Sequence, residues 1–175
     1  MFDLRPMCES DIPDVMSIQA ECYPVDVLEE ESVVRARLAS QPGFGWVAED
    51  RQGVCAYLFA YPSRVGKVTP LDGEFQQQVQ ADCLYLHDLA VHPRAAGRRI
   101  GPALVGHALE QARRLRLRYS ALVSVQQSHD FWARQGYARH DRLEPQQLDN
   151  LASYRIPAIY MVRELLSTNN EHDNQ

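Results

Sequence analysis

The chain has 175 residues, of which 45% are hydrophobic and 23% charged, with a formal net charge of −5. That length buries one sizeable core but falls short of most two-domain proteins, and the acidic balance argues against general nucleic-acid binding. The four cysteines, Cys8, Cys22, Cys55 and Cys83, form no CxxC pair, so neither a zinc site nor a disulfide framework is suggested, and no apolar run approaches the roughly 20 residues of a membrane span.

These counts predict one domain over residues 1–166, working in a reducing cytoplasm with no metal and no membrane partner. The opening stretch MFDLRPMCESDIPDVM carries acidic residues where a signal peptide is basic and then apolar. FDLRPM has the alternation of a short strand, and Ser10 or Asp11 is placed to cap a helix marked by Ile12, Val15, Met16 and Ile18 and ending near Tyr23 and Pro24. A second helix is predicted over Glu29 to Leu38, stopped by QPGFG. GFGWVAED and GVCAYLFAYP read as a hairpin turning at Asp50 to Gly53. Residues Pro62 to Asp82 are polar and broken by Pro and Gly; a loop that long in a compact domain is usually functional, and a lid or substrate-facing loop is expected. CLYLHDLAV follows as a central strand, then a helix. A strand near Ser120 to Val125, a short helix over Asp130 to Gln135, a strand from Tyr137 and a last strand IPAIYMVREL complete the chain, ahead of a polar tail, 167–175, expected to be disordered.

The join between the central strand and its helix carries chemistry. In HPRAAGRRIG, Gly97 and Gly101 stand where Ile100, Leu104, Ala108 and Ala112 begin a helical stripe, and Pro102 suits the first turn because its missing N–H costs nothing there. A helix N-terminus offers unpaired amides and partial positive charge, and glycine lets a ligand approach the backbone. Arg94, Arg98 and Arg99 add cations, which suits a polyphosphate. Neither a Walker GKS/GKT sequence nor a GxGxxG dinucleotide fingerprint is present. The basic run RRLRLR, Arg113 to Arg118, reads as a solvated helix end favoured by the dipole.

The segment LAVHPRAAGRRIGPALVGHAL resembles the acetyl-CoA-binding motif LxVxPxxRGxGIGxxLL of the GCN5-related N-acetyltransferases (GNAT), and SHDFWARQGYARH resembles that family's FYxxxGF segment. The order of elements matches as well, over nearly the whole chain. Within the family, YLHDLAVH most resembles the arylalkylamine N-acetyltransferase branch. The resemblance implies an α/β (α+β) three-layer fold with a mixed, mostly antiparallel central sheet, splayed near the signature strand and carrying helices on both faces. It implies acetyl-CoA as co-substrate. Carried over residue by residue, the pyrophosphate cradle falls on Ala96, Gly97, Arg98, Arg99, Ile100 and Gly101, with Pro102 opening the helix. Main-chain groups of Leu89, Ala90 and Val91 would pair with the pantetheine arm, and Phe131 and Trp132 would pack against it. The chain departs from the motif at Ala96, in place of Gln or Arg, and at Arg99, in place of Gly.

Attack on a thioester requires a neutral amine, whereas an alkylamine, like lysine with its reference value of about 10.4, is protonated near neutrality. His87 is the candidate base. On a regular alternation it shares a face with Tyr85, Leu89 and Val91, while Leu84, Leu86, Asp88 and Ala90 point the other way. Tyr85 could hold a relaying water. The family's general acid, the Tyr of FYxxxGF, is replaced by Trp132, whose indole cannot supply a proton, so Tyr137, Tyr160 or water must serve, or the thiolate leaves unprotonated. Cys83 is the one thiol expected on the face of His87. The expected activity is transfer of acetyl to a primary amine of a small molecule by direct attack in a ternary complex, by a monomer or homodimer. A protein or peptide N-acetyltransferase and a non-catalytic acyl-CoA-binding module are the alternatives.

Overall fold

The computed structural model describes residues 1–76 and 78–166; the expectation for the tail falls outside these residues. In chain order, strand β1 (Asp3–Pro6) leads through a 3-10 turn to helix α1 (Ile12–Cys22), and a second 3-10 turn at Val25–Val27 leads to α2 (Glu31–Ser40). The hairpin β2 (Gly45–Asp50) and β3 (Gly53–Ser63) follows, then β4 (Cys83–Val91), α3 (Ile100–Arg114), β5 (Tyr119–Ser124), α4 (His129–Arg134), β6 (Ala138–Arg139), α5 (Pro145–Ala152) and β7 (Ile159–Glu164). Helix α5 was not anticipated; Glu144 and Pro145 are its only sequence signal, a Pro at the first helical position.

The strands form one sheet in the order β1-β2-β3-β4-β5-β7-β6, antiparallel except where β4 meets β5. This is the mixed, mostly antiparallel architecture expected from the motifs. Alternation along the strands sorts the apolar residues into two clusters, one on each face of the sheet. Trp46, Leu58, Leu84 and Leu86 join Ile100, Leu104 and Leu109 of α3 and Trp132 of α4 on one face. Val47, Tyr57, Phe59 and Tyr85 join Ile12, Val15 and Ile18 of α1 and Val34 of α2 on the other.

Two irregularities position the site. Strands β4 and β5 pair in parallel only from Cys83–Tyr119 to Leu86–Leu122, then part, so residues 87–91 run along an open edge. At the same place β4 carries a bulge: Phe59 pairs with Asp88 and Ala60 with Leu86, leaving His87 without a partner on β3. The extra residue inverts the alternation. Leu84 and Leu86 point toward α3, but beyond the bulge so do Leu89 and Val91, while Ala90 now packs with Tyr85 in the α1-side cluster. The regular alternation expected from sequence is therefore corrected: Asp88 and Ala90 share the α1 side with Tyr85 and His87, and Leu89 and Val91 do not.

Candidate active site

Where β4 and β5 part, a cleft of about 330 Å³ opens, lined by residues of β4, the end of α1, the start of α3, the β5–α4 turn and α4. Its mouth is the N-terminus of α3. The amides of residues 97–101 donate no hydrogen bond to any described residue; the preceding amide, Ala96, donates to Pro93 O, and the first helical bond is donated by Ala103 to Arg99 O. Gly97 has φ +77° and Arg99 φ +60°, so the turn curls through the left-handed region twice and its free amides face one concavity. A Cβ at Gly97 would meet nothing within 4 Å, so the glycine serves the backbone conformation there. Arg99 is fully exposed and supplies the motif's left-handed position without glycine.

The three arginines do not act together. Asp50 on the β2–β3 hairpin binds Arg94 Nη1 at 3.0 Å and Arg98 Nη1 at 2.5 Å. The hydrogen bond from Arg98, then those from the Gln52 amide and Arg94, hold its carboxyl well below the ordinary range. Arg94 and Arg98 are thus spent on bracing the turn, and Arg99 alone among them has no ion-pair partner among the described residues.

Along the open edge, the His92 N–H bonds Cys55 O on β3, so by antiparallel alternation the amides of Leu89 and Val91 point away from β3. Their carbonyls face the end of α1: Tyr23 Oη lies 2.9 Å from Leu89 O, its one hydrogen shared between that carbonyl and the nearer Asp88 Oδ1, and Cys22 Sγ donates to Val91 O at 3.2 Å. Phe131 and Trp132 line the opposite wall, edge to face at 4.9 Å. Trp132 also contacts Tyr137 edge to face.

Deeper in the cleft, the His87 side chain is only 2% exposed. Its Nε2 lies 3.0 Å from Glu29 Oε1, and Arg37 Nη1 donates to the same oxygen at 2.6 Å. Burial alone would raise the Glu29 carboxyl, but the His87 and Arg37 contacts outweigh it and hold it well below the usual range. An ionised carboxylate only accepts, so Nε2 is the nitrogen that carries hydrogen. Nδ1 is buried and without a partner among the described residues. Phe75 packs edge to face on the imidazole at 5.2 Å.

Phe75 belongs to the long loop. Leu71 of that loop lines the cleft, and the loop is a pinned wall: the Asp72 amide donates to Glu29 Oε2, Arg37 donates twice to Gly73 O, and the Leu71 and Val68 amides bond Ser153 and Gln147.

Asp88, beside His87, accepts a hydrogen bond on each oxygen, from Tyr23 Oη and from Tyr57 Oη, both at 2.6 Å. Burial pushes its carboxyl up against the pull of the two hydroxyls. Burial likewise pushes the Tyr23 and Tyr57 hydroxyls well above their ordinary value.

The other sequence candidates lie apart. The Tyr85 hydroxyl is buried in the core, with no hydrogen-bond partner among the described residues, and burial raises it well above 10. Tyr137 is buried on the α3 side, its hydroxyl 2.7 Å from Ser120 Oγ, and does not line the cleft. Tyr160 accepts from the Gly66 amide. Cys83 is buried below the cleft with its thiol pushed up by burial. Conversely, Tyr23, Glu29, Arg37, Tyr57 and Phe75 were not singled out from sequence. Their side chains meet at the site only through pairings distant in the chain.

An open mixed sheet whose parallel strands part beside a helix N-terminus rich in free amides defines an α/β fold suited to a long, phosphate-bearing ligand. The model of the acetyltransferase (GNAT) family matches residues 12–137, well over half of the chain. The chain belongs to that family. No curated protein matches it in sequence. Among solved structures it is similar to the GphF GNAT-like decarboxylase in complex with isobutyryl-CoA (TM-score 0.75, 15% identity, 94% of this chain and 100% of that one). It is also similar to the ribosomal-protein-S18-alanine N-acetyltransferase from Escherichia coli (0.67, 14%, 99% and 100%). A third similar structure is N-acetylglutamate synthase from Neisseria gonorrhoeae with coenzyme A and N-acetyl-glutamate (0.70, 18%, 95% of this chain but 36% of that one). At these identities the likenesses show the fold.

Proposed function

We propose that the protein transfers the acetyl group of acetyl-CoA to a primary amine of a small molecule, with His87 as the base. The observation that carries this reading is the buried, unpartnered Nδ1 of an imidazole whose other nitrogen is held by Glu29, in the cleft that opens beside the amides of residues 97–101. In this reading those amides and the exposed Arg99 bind the diphosphate of acetyl-CoA. Gly101 and Pro102 open the helix behind it. The outward amides of Leu89 and Val91 donate to the pantetheine arm, and Phe131 and Trp132 flank it. Ala96 and Arg98 shape the turn, and Ala90 places the strand.

The ammonium gives one proton to His87 Nδ1, and the neutral nitrogen attacks the thioester carbonyl. The C–N bond forms, the C–S bond breaks, and coenzyme A leaves as a thiolate, a tolerable leaving group since a thiol's pKa is about 8.5, which takes up the second proton that the nitrogen sheds as it becomes an amide. Glu29 stabilises the imidazolium, and Arg37 keeps Glu29 ionised. Tyr137 and Tyr160 have no part in this scheme, because their hydroxyls are engaged outside the cleft. Tyr85 supports the imidazole by packing, its ring 6.3 Å from that of His87. The likeness of YLHDLAVH to the arylalkylamine branch supports a small amine over a peptide.

The test is release of coenzyme A thiol with amine present. His87→Gln should lower turnover about 10- to 1000-fold and leave acetyl-CoA affinity unchanged by calorimetry. The loss should shrink as pH rises, because more amine is then neutral. A folded variant with wild-type rates at every pH would remove His87 from the reaction.

A further inference from the structure

Asp88 presents an electrostatic imbalance. It is a half-buried carboxylate whose partners among the described residues are two tyrosine hydroxyls, which satisfy its oxygens but neutralise no charge. Glu29, the other carboxylate lining the cleft, has its cation in Arg37. No lysine or arginine stands among the described residues that line the cleft, while Asp88, Glu29 and His87 all do. His87, which lines the cleft, keeps a buried Nδ1 with no hydrogen-bond partner among the described residues, a polar atom that calls for a hydrogen-bonding ligand. The bulge brings these features together, since on a regular strand Asp88 would face α3 and His87 would stand opposite it.

We propose that Asp88, held by Tyr23 and Tyr57, is the docking group for the ammonium head of the acceptor, and that the cleft selects cationic amines that carry no carboxylate. This rests on the acetyl-transfer reading above. The ammonium supplies the positive charge that Asp88 lacks, and from that position its proton lies within the cleft shared with His87. An amino-acid acceptor would bring its own carboxylate against Asp88 and Glu29 with no cation to receive it, so the site rejects it by charge. The two tyrosines orient the carboxylate without competing as cations, which leaves selectivity to the ligand's charge.

The test uses the full chain and a matched pair of probes, 2-phenylethylamine and L-phenylalanine, which differ by a carboxylate. Wild-type protein should acetylate the first with a kcat/KM at least 100-fold above the second. Asp88→Asn should raise the KM for 2-phenylethylamine 10- to 100-fold, with an unchanged melting temperature and unchanged acetyl-CoA affinity. Calorimetry of 2-phenylethylamine against coenzyme A-loaded protein should show the same loss. Equal use of the two probes overturns the proposal, as does unaltered KM and affinity in the variant. If Asp88→Asn does not fold, the comparison of the two probes on wild-type protein decides alone. Should no thiol be released with either probe, the calorimetry still separates the two ideas: binding lost in Asp88→Asn retires acetyl transfer and keeps the docking site, and equal binding in both proteins retires the docking site.

Discussion

Arg99 holds a left-handed conformation that an L-residue adopts at a cost of roughly 1–2 kcal/mol and that glycine adopts freely. Of Arg94, Arg98 and Arg99, it is also the one whose guanidinium is not tied to Asp50. Two consequences of opposite sign follow for Arg99→Gly. Relief of strain, less the roughly 0.5–1 kcal/mol of added unfolded-chain entropy, should raise stability by about 0.5–1 kcal/mol, read as a higher urea midpoint. Loss of the charge should weaken acetyl-CoA binding by about 3- to 10-fold and flatten its dependence on salt. Unchanged affinity at both low and high salt would detach the guanidinium from the diphosphate. The sequence marked Arg99 as a departure from the motif, but the division of labour among the arginines depends on Asp50, a residue of the hairpin turn with no motif of its own.

Helix α1 matters to the site because its last turn delivers Cys22 and Tyr23 to the open edge of β4. Its start is fixed by Asp11, which accepts two hydrogen bonds from Arg5 of β1 and one from the Cys8 amide, all at 2.8 Å. The Arg5 contact, opposed by burial and aided by Cys8, lowers the Asp11 carboxyl to about 2. A folded-state value below the unfolded one means the stabilisation is complete above about pH 4, the unfolded reference, and is lost as pH falls through about 2. Asp11→Asn should therefore cost about 1–3 kcal/mol at pH 7 by urea denaturation. The gap between variant and wild type should narrow between pH 4 and 2. A gap independent of pH would mean that packing, and not charge, holds the β1–α1 junction. Sequence reasoning offered Ser10 or Asp11 as a cap; Asp11 takes the cap position of α1 without a side-chain capping bond, and its pairing with Arg5 became visible only once β1 was seen to lie against the start of the helix.

Across the whole molecule, the sheet is joined at its centre by the four residue pairs of β4 and β5. A ligand seated in the cleft where they part binds the folded chain alone and stabilises it by linkage, about 2.7 kcal/mol at a concentration 100 times its dissociation constant. Hydrogen exchange gives the spatial signature. The amides of residues 97–101, unbonded in the free protein, should exchange fast and become protected when acetyl-CoA is added, together with those of Leu89 and Val91. Protection elsewhere on the surface but not at these amides would move the ligand out of the cleft.

The elements themselves were legible because local chemistry dictates them. Periodic apolar residues made α1 and α3, Asp50 to Gly53 made the hairpin turn, and Gly97 followed by Arg98 and Arg99 marked the curl into α3. The run of free amides at residues 97–101 is local too, since it is built of consecutive residues, and the sequence marked that stretch of the chain. The deeper part of the cleft could not be found that way. A bulge at His87 depends on pairing with β3 across the long loop, and it alone turned Asp88 toward Tyr23 and Tyr57. Glu29 stood in sequence as the opening residue of the second predicted helix; only the fold buried it, and burial is what makes its contacts with Arg37 and His87 strong. Charges acquire their chemistry from the dielectric and the neighbours around them, and those are properties of the tertiary structure.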